Sequence, residues 1–187
     1  MTTTLTRTAL DKKVLVMSGG SGHWGGYLVN LLSTLAKSKL NDLHIVAIAG
    51  ASAELKANLE KIEPRIEVRG KCSAEEMTQL TRAADFAGIK AGGATIGECH
   101  AVKTIPVVYQ KLSGVENGNV DHIKKQNTGI IALQKEQFIA TITQLSQYPA
   151  KANKILENQN KFPTIGSAKL ISQFLHDKVW KESKGVY

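Results

Sequence analysis

The chain has 187 residues, 42% of them apolar and 21% charged, and its 24 Lys and Arg exceed its 16 Asp and Glu to leave a formal charge of +8. That apolar share excludes a wholly disordered chain, and the length predicts one domain. The charge favours an anionic partner, which is nucleic acid, acidic lipid headgroups or a phosphorylated small molecule, unless it is only a solvated basic surface.

The elements alternate along the chain. After a Thr-rich arm, Met1–Thr8, an apolar run Val14–Met17 stops at Gly19 and Gly20, and Tyr27–Lys37 then places Leu28, Leu31, Leu32 and Leu35 at helical spacing. The unit recurs with His44–Ala49 as strand and Ala53–Lys61 as helix, then with Ile66–Arg69 and a helix over Ala74–Ala84, whose Ser73 and Glu76 fit a capping box. Phe86–Lys90 reads as the fourth strand, Thr95–Val102 as the next helix, and Ile105–Tyr109 as a buried strand with Pro106 near its start. A weaker sixth strand falls near Gly129–Leu133, and helices over Lys135–Ser146, Ala150–Asn160 and Ser167–Lys181 close the chain, separated at Pro149 and Pro163. Strand and helix in alternation predict one doubly wound α/β domain, with ligands beyond the carboxyl ends of the strands.

Two cysteines, Cys72 and Cys99, make no disulfide framework. Without a signal-peptide pattern they read as reduced thiols of a cytoplasmic protein. No apolar stretch approaches the roughly 18 residues of a membrane span. Aromatics are 5% of the chain and the lysines are dispersed, which weighs against nucleic acid. Lys178, Trp180, Lys181 and Lys184 form a basic, aromatic-bearing end suited to an anionic membrane surface, or are simply a frayed terminus.

Two glycine-rich turns carry the chemistry. In Gly19–Gly26 a strand-to-helix turn offers backbone N–H groups and a helix dipole to an anion. Gly20, Gly22 and Gly25 satisfy G-x-G-x-x-G, but Ala49, Gly50, Ala51 and Ser52 stand where a dinucleotide site needs an acidic residue, which disfavours NAD. His23 is a lone loop histidine. The second turn, Lys90–Glu98, puts Gly92 and Gly93 at a strand end and Glu98 about one turn into the next helix. There a carboxylate suits the vicinal hydroxyls of a ribose and the amides of Gly93 to Thr95 suit a phosphate. Downstream, Gly114–Asn119 is a polar loop with one carboxylate. Neither an Asp-x-Asp pair nor a His or Cys cluster has metal-ligand spacing, so no metal or other cofactor is expected.

Taken together, strand-GGxxG-helix, then Lys90-Ala-Gly-Gly-Ala-Thr-Ile-Gly-Glu98, then Gly114-Val-Glu-Asn-Gly-Asn-Val120 resemble the C-terminal domain of glycosyltransferase family 28, and within it the monogalactosyldiacylglycerol synthases. The resemblance covers roughly residues 10 to 175 and includes Val68–Lys71 and Ala83–Asp85. It implies the C-terminal half of a GT-B fold, a Rossmann-like doubly wound parallel sheet of about six strands. It divides the chain into a linker or arm (1–12), a donor-binding domain (13–182) and a tail (183–187).

The resemblance further implies an inverting hexosyltransferase acting on a UDP-sugar, with a general base on an N-terminal acceptor domain or a partner subunit, and activity at the cytoplasmic membrane face. Residue by residue, it puts Gly20, Ser21 and Gly22 at the diphosphate and Gly70, Lys71 and Cys72 along uracil. Glu98 falls on the ribose, Gly93, Ala94 and Thr95 on phosphate oxygens, and Glu116 and Asn119 on the transferred sugar, with Lys90 near the diphosphate. Val115 stands where the family usually has Gln, which removes one sugar contact. A non-catalytic nucleotide-sugar-binding subunit and an NAD-binding Rossmann domain are the alternative readings.

Overall fold

The computed structural model describes residues 13–18, 25–38, 40, 43–62, 66–162 and 166–183. In chain order these form β1 (Lys13–Ser18), α1 (Gly25–Ala36), β2 (Leu43–Ile48), α2 (Ala53–Glu60), β3 (Ile66–Arg69), α3 (Ala74–Ala83) and β4 (Phe86–Lys90). There follow α4 (Gly93–Ala101), β5 (Ile105–Gln110), α5 (Asn117–Gln126), β6 (Ile130–Ile131), α6 (Lys135–Gln147), α7 (Pro149–Gln159) and α8 (Ser167–Ser183). The expected helix at Thr95 starts two residues earlier, at Gly93, and the sixth strand shrinks to two residues. The Gly114–Asn119 loop is shorter than its sequence implied, because Asn117 to Asn119 already form the first turn of α5. That turn is held by burial further along the helix, at Val120 and Ile123, rather than by propensity.

The six strands are all parallel and ordered β3-β2-β1-β4-β5-β6. Strand order reverses between β1 and β4, the switch point at which such sheets bind ligands. Alternation along β1 sends Leu15 and Met17 to one face, under the leucines of α1 and residues of α2, α6 and α7, while Val14 and Val16 face Leu80 of α3. On that second face Ala87, Ile89 and Val108 pack against Ile96 and Cys99 of α4 and Val120 and Ile123 of α5. Helices therefore cover both faces, and the strands read as continuous apolar runs because neither face meets water.

The amino ends of the strands are closed by polar side chains. The Val14 N–H donates to Asp85 Oδ2 at 3.0 Å, and the Gln159 amide donates to the carbonyls of Thr104 at 3.2 Å and Thr128 at 2.9 Å. Helix α8 differs from the rest. Every residue from 168 to 178 is exposed, including Leu170, Ile171, Phe174 and Leu175 at 53–61%. Among the described residues no helix is long and apolar enough to cross a membrane.

Candidate functional site

Because every strand is parallel, the segments that follow β3, β4 and β5 emerge at one edge of the sheet. After β3, Gly70, Lys71 and Cys72 form a short loop into α3. Its start is fixed by the expected capping box, in which the Ser73 N–H donates to Glu76 Oε2 at 2.7 Å and the Glu76 N–H donates to Ser73 Oγ at 3.2 Å. Lys71 is exposed, while the Cys72 thiol is half-buried and turned back toward the Gly70 carbonyl, 3.7 Å away. Burial, and then the Glu76 carboxylate, push the Cys72 thiol up from its ordinary value, and burial pushes Cys99 up to about 12. Both shifts favour the neutral thiol over the thiolate at pH 7.

After β4, Ala91 is fully buried and Gly92 is the N-cap of α4, with no side chain to satisfy the first-turn donors. The amides of Gly93, Ala94 and Thr95 thus open the helix uncapped, with Gly93 and Ala94 exposed, and Glu98 lies exposed one turn further on. An uncapped helix N-terminus carries partial positive charge and free N–H groups, a match for phosphate oxygens.

After β5, the chain folds back over this turn. The Glu116 carboxylate, 8% exposed, accepts the Leu112 N–H at 2.6 Å, and its Oε1 lies 3.9 Å from where a Cβ on Gly92 would stand. The Asn119 side chain donates from Nδ2 to the Ala91 carbonyl at 2.8 Å. Lys111 Nζ bonds Asn117 Oδ1 across the same loop, and Val115 at its tip is 86% exposed. The structure therefore brings Glu116 and Asn119 against Gly92 and Gly93 at the start of α4, and Ala94, Thr95 and Glu98 follow on the same helix. Gly70, Lys71 and Cys72 share its edge of the sheet, whereas Gly20, Ser21, Gly22 and His23 lie outside the described residues.

One residue escaped the sequence reading. Gln110 ends β5 opposite Lys90, just past a shift in the β4–β5 register; it is 8% exposed, and its buried Oε1 has no hydrogen-bond partner among the described residues. A polar residue directly after the apolar run Val107–Tyr109 is the signal that marks it.

No family model matches the chain. It is 26% identical over 163 residues to a processive diacylglycerol β-glucosyltransferase of Bacillus licheniformis, an alignment that covers 86% of this chain and 42% of that protein. The chain thus spans less than half the length of the curated relative. Among solved structures, a UDP-GlcNAc 2-epimerase of Neisseria meningitidis bound to UDP-GlcNAc superimposes with a TM-score of 0.70 at 14% identity, over 88% of this chain and 44% of that one. A glycosyltransferase of Streptomyces nogalater superimposes with a TM-score of 0.59 at 17% identity, over 92% of this chain and 45% of that one. The fold is one half of the GT-B architecture. Both the expected resemblance to glycolipid glycosyltransferases and the expected α/β class are borne out. An epimerase and a glycosyltransferase share this GT-B half, so the fold by itself does not choose the reaction.

Proposed function

We propose that this chain is the UDP-sugar-binding half of an inverting hexosyltransferase of glycolipid synthesis. The observation that supports this most directly is the approach of Glu116 and Asn119 to the Gly92–Gly93 start of α4, in a GT-B half that is 26% identical to a diacylglycerol β-glucosyltransferase. In this reading the diphosphate meets the amides of Gly93, Ala94 and Thr95 together with Gly20, Ser21 and Gly22, and Lys90 adds charge. Glu98 accepts from the ribose hydroxyls, Gly70 to Cys72 line the base, and Glu116 with the remaining polar atoms of Asn119 faces the hexose. An acceptor hydroxyl attacks the anomeric carbon as the bond from that carbon to the β-phosphate oxygen breaks. The proton leaves to a base on the acceptor-binding domain or partner and UDP departs with the electron pair. The contribution of this half is to stabilise charge growing on the diphosphate through pre-placed amides and a helix dipole, chemistry that calls for no metal.

The acceptor and the base belong, in this proposal, to a second domain or partner subunit. The 42% span of the relative supports that, as does α8, whose exposed apolar stripe has nothing beneath it among the described residues. A lone helix of its length is marginal in water and gains from a body to pack on. A lipid acceptor would bring the assembly to a membrane surface, toward which Lys178 on α8 could turn; Lys184 lies outside the described residues.

The direct test is the melting temperature with UDP, UDP-glucose or NAD in parallel. A ligand at about 100 times its dissociation constant stabilises by about 2.7 kcal/mol. For a chain of this size that is a rise of roughly 5–10 °C. UDP and UDP-glucose are expected to raise the midpoint and NAD to leave it. A rise with NAD alone, or none with UDP, overturns the proposal.

A further inference from the structure

The peptide that precedes the anion-binding turn is clamped from outside its own helix. Ala91 is the residue before the N-cap of α4, and it is fully buried. Its N–H donates to the Gln110 carbonyl at 2.9 Å, and its own carbonyl accepts from Asn119 Nδ2 at 2.8 Å. One bond comes from the end of β5 and the other from the first turn of α5, 28 residues along the chain. Asn119 also lies directly against the turn, because a Cβ placed on Gly93 would stand 3.4 Å from Nδ2 and 3.5 Å from Oδ1. A Cβ on Gly93 would therefore stand in ordinary van der Waals contact with the Asn119 amide.

We infer that Asn119 is a positioning residue, whose amide fixes the Ala91 carbonyl and through it the direction in which the Gly93, Ala94 and Thr95 amides point. The inference deepens the donor-site reading above and rests on it for the identity of the anion. Nδ2 has one proton committed to Ala91, so its second proton and Oδ1 are what remain for a sugar. The tie to the turn is made without ligand, and a helix N-terminus aimed in advance binds an anion without the cost of ordering it.

The experiment compares uridine, UDP and UDP-glucose binding by calorimetry in the wild type and Asn119→Ala, and follows hydrogen exchange of the hydrogen-bonded Ala91 and Ile96 amides that bracket the turn, without ligand. Loss of one hydrogen bond that orients the diphosphate site is expected to weaken UDP about tenfold and leave uridine unchanged. Exchange at Ala91 and Ile96 should be faster in the unliganded variant. Asn119→Asp keeps the shape but cannot donate to the Ala91 carbonyl, and it should accelerate the same exchange, which guards against a general failure of the alanine variant. UDP binding unchanged while UDP-glucose weakens would reduce Asn119 to a sugar contact and overturn the inference. Weaker UDP with unaltered exchange would make it a direct phosphate ligand and overturn it equally. If the wild type binds no UDP, the donor reading fails, and the exchange comparison alone still decides whether Asn119 holds the turn.

Discussion

The two ends of the sheet use polar side chains in opposite ways. At the amino end the donors are committed inside the protein: the amide of Gln159, with no exposed surface, spans the carbonyls of Thr104 and Thr128, the Asn158 amide donates to the Asn127 carbonyl at 3.2 Å, and Asp85 accepts the Val14 N–H, while Gln159 Oε1 and His100 Nε2 are sealed in without a hydrogen-bond partner among the described residues. At the carboxyl end they are held and left partly unspent: Asn119 is tethered by one proton, Glu98 is exposed, Gln110 keeps an unmatched oxygen, and α4 opens with uncapped amides. Polar groups with all their partners inside the protein contribute stability, while polar groups held in place with capacity to spare are what a ligand can use. The difference predicts that substitutions at the two ends separate stability from binding.

The largest effect should come from the amino end. Gln159→Met keeps the length of the side chain but removes both donors, leaving the Thr104 carbonyl without that amide and the Thr128 carbonyl with only the His100 ring, at a cost of about 2 kcal/mol. The melting temperature should fall by roughly 4–8 °C, while affinity for UDP stays as it was. Urea unfolding with a UDP titration reads both. A variant that binds UDP markedly less well would show that the two ends are coupled and break the comparison.

At the carboxyl end the expectation reverses. Glu98 is exposed on α4, so Glu98→Ala should change stability by no more than about 0.5 kcal/mol. A carboxylate that accepts ribose hydroxyls contributes about 1.5–3 kcal/mol, so UDP affinity should fall roughly ten- to a hundredfold. Melting with and without UDP separates the two quantities: the unliganded midpoint should stay and the UDP-induced rise should shrink to about half or less at the same UDP concentration. A retained rise would remove Glu98 from the site.

How far the sequence anticipates this arrangement depends on the range of the interaction. The strands were legible because a sheet covered on both faces makes each of them an apolar run, as at Val14–Met17 and Ile105–Tyr109, stopped by glycine or a polar residue. The Ser73–Glu76 capping box was legible because both its bonds lie within three residues. The start of α4 was not, since a helix that opens on Gly92 and Gly93 carries no capping side chain to announce it. The first turn of α5 read as loop because Asn117, Gly118 and Asn119 are poor helix formers that a buried face overrides. The bond from Asn119 to Ala91 and the bridge from Gln159 to Thr104 join residues 28 and 55 apart, and no local pattern encodes them.

The smallest effect concerns His100, at the sealed end. It is buried at the close of α4 and its Nε2 has no hydrogen-bond partner among the described residues. Burial lowers its pKa below the ordinary 6.5. A bond to the Thr128 backbone opposes that shift, and His122 and Lys103 reinforce it. With the folded value below the unfolded one, the unfolded chain binds the extra proton first as the solution is acidified. The stability contributed by the neutral ring is therefore complete above pH 6.5 and is lost as pH falls from 6.5 through the lowered folded value. Removing the ring with His100→Gln should flatten this part of the pH dependence, whereas carboxylates elsewhere act alike in both proteins and cancel in the difference. Urea midpoints at pH 7.5 and 5.0 measure it: the wild type should lose more stability than the variant across that interval. Because Gln159 also donates to the Thr128 carbonyl, a wild type that loses no more than the variant would mean that this end relaxes to solvate the imidazolium, and is less tightly closed than its bonds imply.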